Sequence, residues 1–225
     1  MPIVSLQRVT KNYITDGQPV RALQDVSLEV ERGEFVALMG RSGCGKSTLL
    51  HLAGAMDFPT SGRVLLEGVE TSSLNDNALT ALRREKVGFI FQSFQLLHTL
   101  TVLENVELPL QLAGKPNIRK TAREKIAAVE LDGLGERYPH QLSGGQMQRV
   151  GIARALVQSP AILLADEPTG NLDSTSGNVI LELLRRLTRE MNTATIMATH
   201  SLEAAALADT LVGLRDGTIQ ETTHR

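Results

Sequence analysis

Tryptophan is missing from this chain, and phenylalanine with tyrosine brings the aromatic share to only 3%. Stacked-ring platforms of the kind that bind single-stranded nucleic acids are therefore disfavoured. A formal net charge of −2 offers no basic surface to a phosphate backbone, so no nucleic-acid partner is expected. The single cysteine, Cys44, allows no disulfide within the chain and fits a reducing compartment. No apolar run approaches the roughly eighteen residues of a membrane-crossing helix. Met1-Pro2-Ile3-Val4-Ser5 has neither the basic nor the apolar character of a leader. The expected location is cytoplasmic, with no direct membrane insertion and any membrane attachment made through a partner on the cytoplasmic face. The histidines at 51, 98, 140, 200 and 224 lack the spacing of a metal site.

What is present reads as one α/β domain. Short strands are expected at residues 3–9, 22–30, 35–39, 63–67 and 87–91. From Gln92 to about Gln158 helical spacing takes over, as in Val102, Val106 and Leu110 and again in Ile126, Val129 and Leu131. This change predicts a helical subdomain, residues 93–158, inserted into a catalytic core of 1–92 and 159–225. "AILLADEP" and "TATIMATH" are apolar runs of the kind that fill both faces of a buried parallel strand. A helix over 174–190 between them completes a βαβ unit. Asp216-Gly217 stands where a hairpin turn is expected.

"GRSGCGKS", Gly40 to Ser47, follows the strand-like "EFVALM" and precedes the helical "TLLHLAGAM". G-x-x-x-x-G-K-[ST] between a strand and a helix is a phosphate loop. Gly40, Gly43 and Gly45 let the backbone curl so that N–H groups, including those of Arg41, Ser42 and Cys44, point at an anion. The helix that starts near Lys46 and carries Thr48 adds its positive end. Lys46 can reach the β- and γ-phosphates, and the Ser47 hydroxyl can ligate Mg²⁺. Cys44 either fills a position that contributes only its N–H or is a thiol activated by the helix start.

"ILLADEP" places Asp166 and Glu167 at the C-terminal end of a buried strand, the edge where open α/β sheets bind ligands. Asp166 suits a Mg²⁺ ion held through water. Glu167 can polarise an attacking water as general base. Gln92 ends "KVGFIFQ" and can reach the metal or that water. His200 ends "TIMATH" and is placed to contact a γ-phosphate.

A second helix start, "LSGGQMQRV", needs a separate account. Ser143 as N-cap and Gln146 at N3 form a capping box, and Leu142 can staple to Met147. Capping does not explain Gly144 and Gly145, each of which costs about 0.5–1 kcal/mol against alanine inside a helix. Bare N–H groups at a positive helix end make a phosphate site, yet the chain's own phosphate is already surrounded. The economical reading assigns this helix start to a second protomer's nucleotide.

The phosphate loop, Gln92, "LSGGQ", "ILLADEP", "NLD" and His200, in this order and over essentially the whole chain, resemble the nucleotide-binding subunit of an ABC transporter. The resemblance implies an α/β fold of the P-loop NTPase type, with a RecA-like core sheet, an N-terminal antiparallel β subdomain and an inserted helical subdomain. It implies two ATPs, with Mg²⁺, sandwiched head to tail between the phosphate loop of one subunit and the LSGGQ helix of a second copy or a related ATPase. By the same resemblance Tyr13 stacks on adenine, Asp173 communicates across the dimer, and a transmembrane permease subunit is the partner. "FQSFQLLHTLTVLENVELPL" and "ADEPTGNLDS" further resemble the branch serving lipoprotein release and macrolide or peptide export. Departures from the pattern are Met147, Ser201 and a slightly shorter segment near Arg137-Tyr138. Phe94, Leu96, Leu97 and Leu100 are read either as core or as a groove for a short helix of the partner. A membrane complex that moves no substrate, and an ABC ATPase that serves no transporter, are the alternative functions.

Overall fold

Residues 1–15 and 17–225 are described by the structure, a computed structural model. The strands β3 (Phe35–Met39), β7 (Ile162–Asp166) and β8 (Ala194–Thr199) are built from the apolar runs singled out above. They join β6 (Val87–Ile90), β9 (Thr210–Arg215) and β10 (Thr218–His224) in a six-stranded sheet of order β10-β9-β3-β8-β7-β6. The five strands from β9 to β6 run parallel, and β10 returns antiparallel to β9. That return turn is Asp216-Gly217, with φ of 47° and 76°, the double positive φ of a tight hairpin.

Alternation along the buried strands divides the core in two. Phe35, Ala37, Leu163, Ala165 and Met197 face one layer, which also holds α3 (Val102–Leu112), α4 (Ile118–Ala128), α5 (Gly144–Leu156) and α6 (Ser174–Glu190). Val36, Leu38, Ile162, Leu164 and Ile196 face the other, against α1 (Lys46–Ala53) and an antiparallel sheet. Both faces are covered, which is why these strands read as continuous apolar runs. Each fully buried Leu or Ile contributes on the order of 1.5–3 kcal/mol, so this sheet is the rigid base of the site.

The antiparallel sheet has order β2-β1-β4-β5, from β1 (Val4–Thr15), β2 (Gln18–Val30), β4 (Ser61–Leu66) and β5 (Val69–Glu70). The expected strands at 3–9 and 22–30 are longer in the fold. Their outer halves carry polar residues and exposed apolar ones such as Ile14 and Val20, so no buried face marks them in the sequence. Register shifts between Leu6 and Asn12 bend β1 there, as bulges do. The expected strand at 63–67 sits at Ser61–Leu66, and the one at 87–91 ends at Ile90.

One helix lies in a stretch expected to hold only strands and turns. α2 (Asp76–Lys86) starts at Asn75, whose side chain accepts the Ala78 N–H at 2.9 Å, and carries Arg83, Arg84 and Lys86 in its last turn. Those cap and charge signals are legible in the sequence. Its apolar contribution is not, because only Leu79 is buried. α7 (Leu202–Ala206) follows β8. Its N-cap is Ser201, which accepts the Ala204 N–H at 3.2 Å.

Candidate active site

The C-terminal ends of β3, β8, β7 and β6 are neighbours in that order. They bring the phosphate loop, His200, Asp166 with Glu167, and the segment of Gln92 to one edge of the sheet. Gly43 and Gly45 adopt φ of 79° and 106°, so the loop curls as expected. Gly45 is doubly required, since a methyl there would lie 2.6 Å from the Ala22 carbonyl oxygen. Lys46 is 6% exposed, and its Nζ donates to the carbonyls of Gly40 at 2.7 Å and Arg41 at 3.2 Å. The ammonium is thereby held across the loop. Ser47 is exposed on the first turn of α1.

Cys44 turns away from that opening. Its side chain is buried in the apolar layer with Leu214 and Leu38, where a thiol is inert.

A cleft of 230 Å³ runs beside the loop, lined by Ser42, Gly45, Lys46, Ser47, Thr48 and, on the far wall, Glu167; Val20, Arg21 and Ala22 of β2 close it. Glu167 Oε2 lies 3.1 Å from His200 Nδ1. The pair joins the ends of β7 and β8, and Glu167 also lines a second cavity of 280 Å³ shared with His200 and Asp173. Glu167 has φ of 46°, a left-handed conformation that a non-glycine residue keeps only when its surroundings hold it. The Glu167 N–H donates to Ala198 O at 3.0 Å, and the Gly170 N–H donates to Glu167 O at 3.0 Å.

Gln92 is exposed and lies along the turn after Glu167. Asn171 Nδ2 donates to its backbone carbonyl at 2.9 Å, and its amide occupies the space where a Gly170 methyl would stand. Asp173 caps α6, accepting from the Ser176 N–H at 2.9 Å and the Ser176 hydroxyl at 2.7 Å. These bonds, the backbone one foremost, hold its carboxyl below the usual carboxylate range.

Tyr13 stands on β1 opposite Val20. Its hydroxyl donates to Asp57 Oδ2 at 2.9 Å, while Lys11 Nζ bonds Asp57 Oδ1 at 2.6 Å and sits 4.8 Å from the ring centre. Burial, then the bond to Asp57, raises the phenol above its ordinary value. Burial alone pushes the Asp57 carboxyl up, but the bonds from Lys11, the Phe58 N–H and Tyr13 outweigh it and hold the group below the usual range. Sequence reasoning missed Asp57, because nothing local ties "DFP" to a residue of the first strand.

At the second helix start the capping box forms in full: Ser143 Oγ accepts the Gln146 N–H at 3.3 Å, and Gln146 Oε1 accepts the Ser143 N–H at 3.0 Å. The two glycines differ in the room around them. A methyl on Gly144 would press on Leu172 Cδ2 at 3.2 Å, whereas one on Gly145 would meet Ser176 only at an ordinary 3.8 Å. Gly144 is thus the tighter of the two positions, its neighbour being the end of a half-buried leucine side chain, while Gly145 has ordinary room for a methyl. Among Phe94, Leu96, Leu97 and Leu100, Leu96 is core. The groove near them is lined instead by Phe89, Phe91, Leu108 and Leu112, and of "FQSFQLL" only Phe91 and Gln95 contribute to it.

A phosphate loop after a core strand, with an acidic pair at the same edge of the sheet on the next strand but one, defines a nucleoside-triphosphate-hydrolysing α/β domain. Residues 23–170 match the family described as ABC transporter. An ABC transporter ATP-binding protein of Thermotoga maritima is 49% identical over 99% of this chain and 96% of its own length. The macrolide export ATP-binding/permease protein MacB of Brucella melitensis is 46% identical over 100% of this chain, which spans 35% of that protein. Among solved structures, the Methanocaldococcus jannaschii ATP-binding cassette MJ0796, a dimer in a post-hydrolysis state bound to ADP and Pi, superposes with a TM-score of 0.90. It is 42% identical, with 98% of both chains covered. The chain belongs to the ABC transporter family, and as a cassette of that family it binds and hydrolyses ATP.

Proposed function

We propose that this chain powers a separate transmembrane permease by closing and reopening as a dimer around two Mg-ATP. The observation that carries the reading is Glu167, which stands on the wall of the cleft that the phosphate loop opens into and is paired with His200 at 3.1 Å. The Glu167 carboxylate directs water in line at the γ-phosphate, while Lys46, His200 and Gln92 hold or sense that phosphate. Such transfer is accelerated mainly by positioning and electrostatics. The loop from Gly40 to Thr48 cradles the phosphates, and Tyr13 supplies the face on which adenine stacks.

No group of three His, Cys, Asp or Glu side chains among the described residues is placed to hold a metal ion. Mg²⁺ is commonly bound by one or two protein groups together with substrate phosphates and water. Ser47, Asp166 and Gln92 are its proposed holders. When bound, the ion neutralises charge on the phosphates.

Ser143, Gly144, Gly145 and Gln146 complete the partner protomer's site, and Asp173 signals across the same interface. The second protomer is another copy or a related ATPase. No helix among the described residues is long and apolar enough to cross a membrane; the membrane-crossing partner we propose is the permease. Its docking place is the groove of 510 Å³ lined by Phe89, Phe91, Leu108 and Leu112, with Arg83, Arg84 and Arg154 among its walls. A short helix with an apolar face suits it. Seated there, that helix adjoins Gln95, three residues from Gln92, and can couple motion of residues 93–158 to the nucleotide. The attached membrane face is cytoplasmic. MacB carries macrolide export and permease in its name, and macrolide or peptide export, or lipoprotein release, is the type of transport we assign.

Glu167→Gln tests the core of this reading. The variant is expected to bind Mg-ATP, to lose turnover by at least a hundredfold, and to elute as a stable dimer in gel filtration. A variant that stays monomeric at saturating Mg-ATP overturns the sandwich.

A further inference from the structure

Gln148 lies on α5, one turn beyond the glycine pair, and is 0% exposed. Its Nε2 donates to the backbone carbonyl of Pro168 at 2.6 Å, the residue directly after Glu167. Only the nitrogen of the amide can donate to a carbonyl, so the orientation of the side chain is fixed. The other half of the amide, Oε1, is buried without a hydrogen-bond partner among the described residues. Burial of a half-satisfied amide is unfavourable where an apolar side chain of the same volume fits without that penalty. Stability alone therefore does not account for a glutamine here.

What the bond does hold is the turn that carries Glu167. The left-handed backbone of Glu167 is fixed upstream by its N–H to Ala198 and downstream by the Gly170 N–H. Gln148 adds a third tether between them, and this one comes from a helix. α5 also starts beside this segment: a methyl on Gly144 would meet Leu172 of the turn, and one on Gly145 would meet Ser176 in the first turn of α6. We infer that Gln148 is a positioning residue: through the Pro168 carbonyl it sets the aim of the Glu167 carboxylate and makes that aim follow α5. On the reading of Glu167 as general base, on which this inference rests, a shift of α5 at one nucleotide is transmitted to the hydrolytic carboxylate of the other.

The test uses the full chain with Gln148→Met, which keeps the volume and removes the donor, beside Glu167→Gln as reference. Expected for Gln148→Met are a KM for ATP within about twofold of the parent and a kcat lower by roughly ten- to a hundredfold, the usual effect of slight misplacement. The Mg-ATP dimer should persist longer by the same factor. A fold defect would weaken dimer and KM together, so that pattern overturns the inference, as does an unchanged kcat. If Gln148→Met does not fold, Gln148→Glu decides. Its buried carboxyl donates only while protonated, so its kcat relative to the parent should fall as pH rises from about 6 to about 8.5; a flat ratio overturns the inference. If Glu167→Gln itself traps no dimer, the underlying reading fails. If it traps one while Gln148→Met turns over normally, this inference alone fails.

Discussion

Tyr13 is the residue whose surroundings change most between sequence and structure. In the chain it is a tyrosine at the end of a polar stretch. In the fold it is locked by Asp57, which Lys11 in turn holds at 2.6 Å from a position 46 residues distant. On the reading that Tyr13 stacks on adenine, the lock fixes a platform that the ground state and the transition state use equally. Removing it should therefore raise KM and leave kcat alone. Asp57→Ala is expected to raise the KM for ATP about three- to tenfold, with kcat within about twofold in steady-state assays. If Tyr13→Ala raises KM and Asp57→Ala does not, the clamp has no part in binding.

Helix α5 shows how one element carries two unrelated constraints. Its cap is local and legible, since Ser143 and Gln146 lie three residues apart and satisfy each other. Its glycines divide by contact, Gly144 facing Leu172 and Gly145 facing open space beyond an ordinary contact with Ser176. The two positions should therefore respond differently. Gly144→Ala is expected to lower the melting temperature, because Leu172 must yield, and Gly144→Ala with Leu172→Ala should recover it. Gly145→Ala should melt at or above the parent temperature, as alanine favours the helix. The same variant should weaken ATP-dependent dimerisation about tenfold or more, through loss of bare backbone at a phosphate. Normal dimerisation by Gly145→Ala in ultracentrifugation would sink the trans assignment of that helix start. The neighbouring loop is strained as well: Phe94 and Gln95 both have positive φ, and Arg154 holds both of their carbonyls.

Across the whole molecule, charge pairs join elements that the core alone leaves loosely tied. Glu67, after β4, meets Lys86 at the end of α2 at 2.8 Å and Arg32 before β3 at 2.9 Å. The Lys86 bond is the main reason its carboxyl is held below the usual range; Asp57 is likewise held down, against its burial, by Lys11. A carboxyl whose folded pKa is depressed stabilises the fold above its unfolded value, about 4, and that stability drains away as pH falls through the lower folded value. The melting temperature should accordingly be flat near neutrality and decline below about pH 5. Glu67→Gln should lower the neutral plateau and shallow the acid decline. An acid limb identical to the parent's would show that this bridge contributes nothing, the common result for exposed pairs.

The amino-acid sequence alone determined the phosphate loop, the strand that ends in Asp166-Glu167, the strand that ends in His200, the hairpin at Asp216-Gly217 and the capped start of α5. Each is a signal within a few residues, set by turn chemistry, capping or the continuous apolar character of a strand buried on both faces. Only the tertiary structure decided that β3, β8, β7 and β6 lie side by side. Their order follows from burying two faces at once, a condition no local stretch encodes. The same holds for Tyr13 with Asp57, Gly144 with Leu172 and Gln148 with Pro168. Their partners are distant in the chain, and the contacts exist because packed layers bring the segments together.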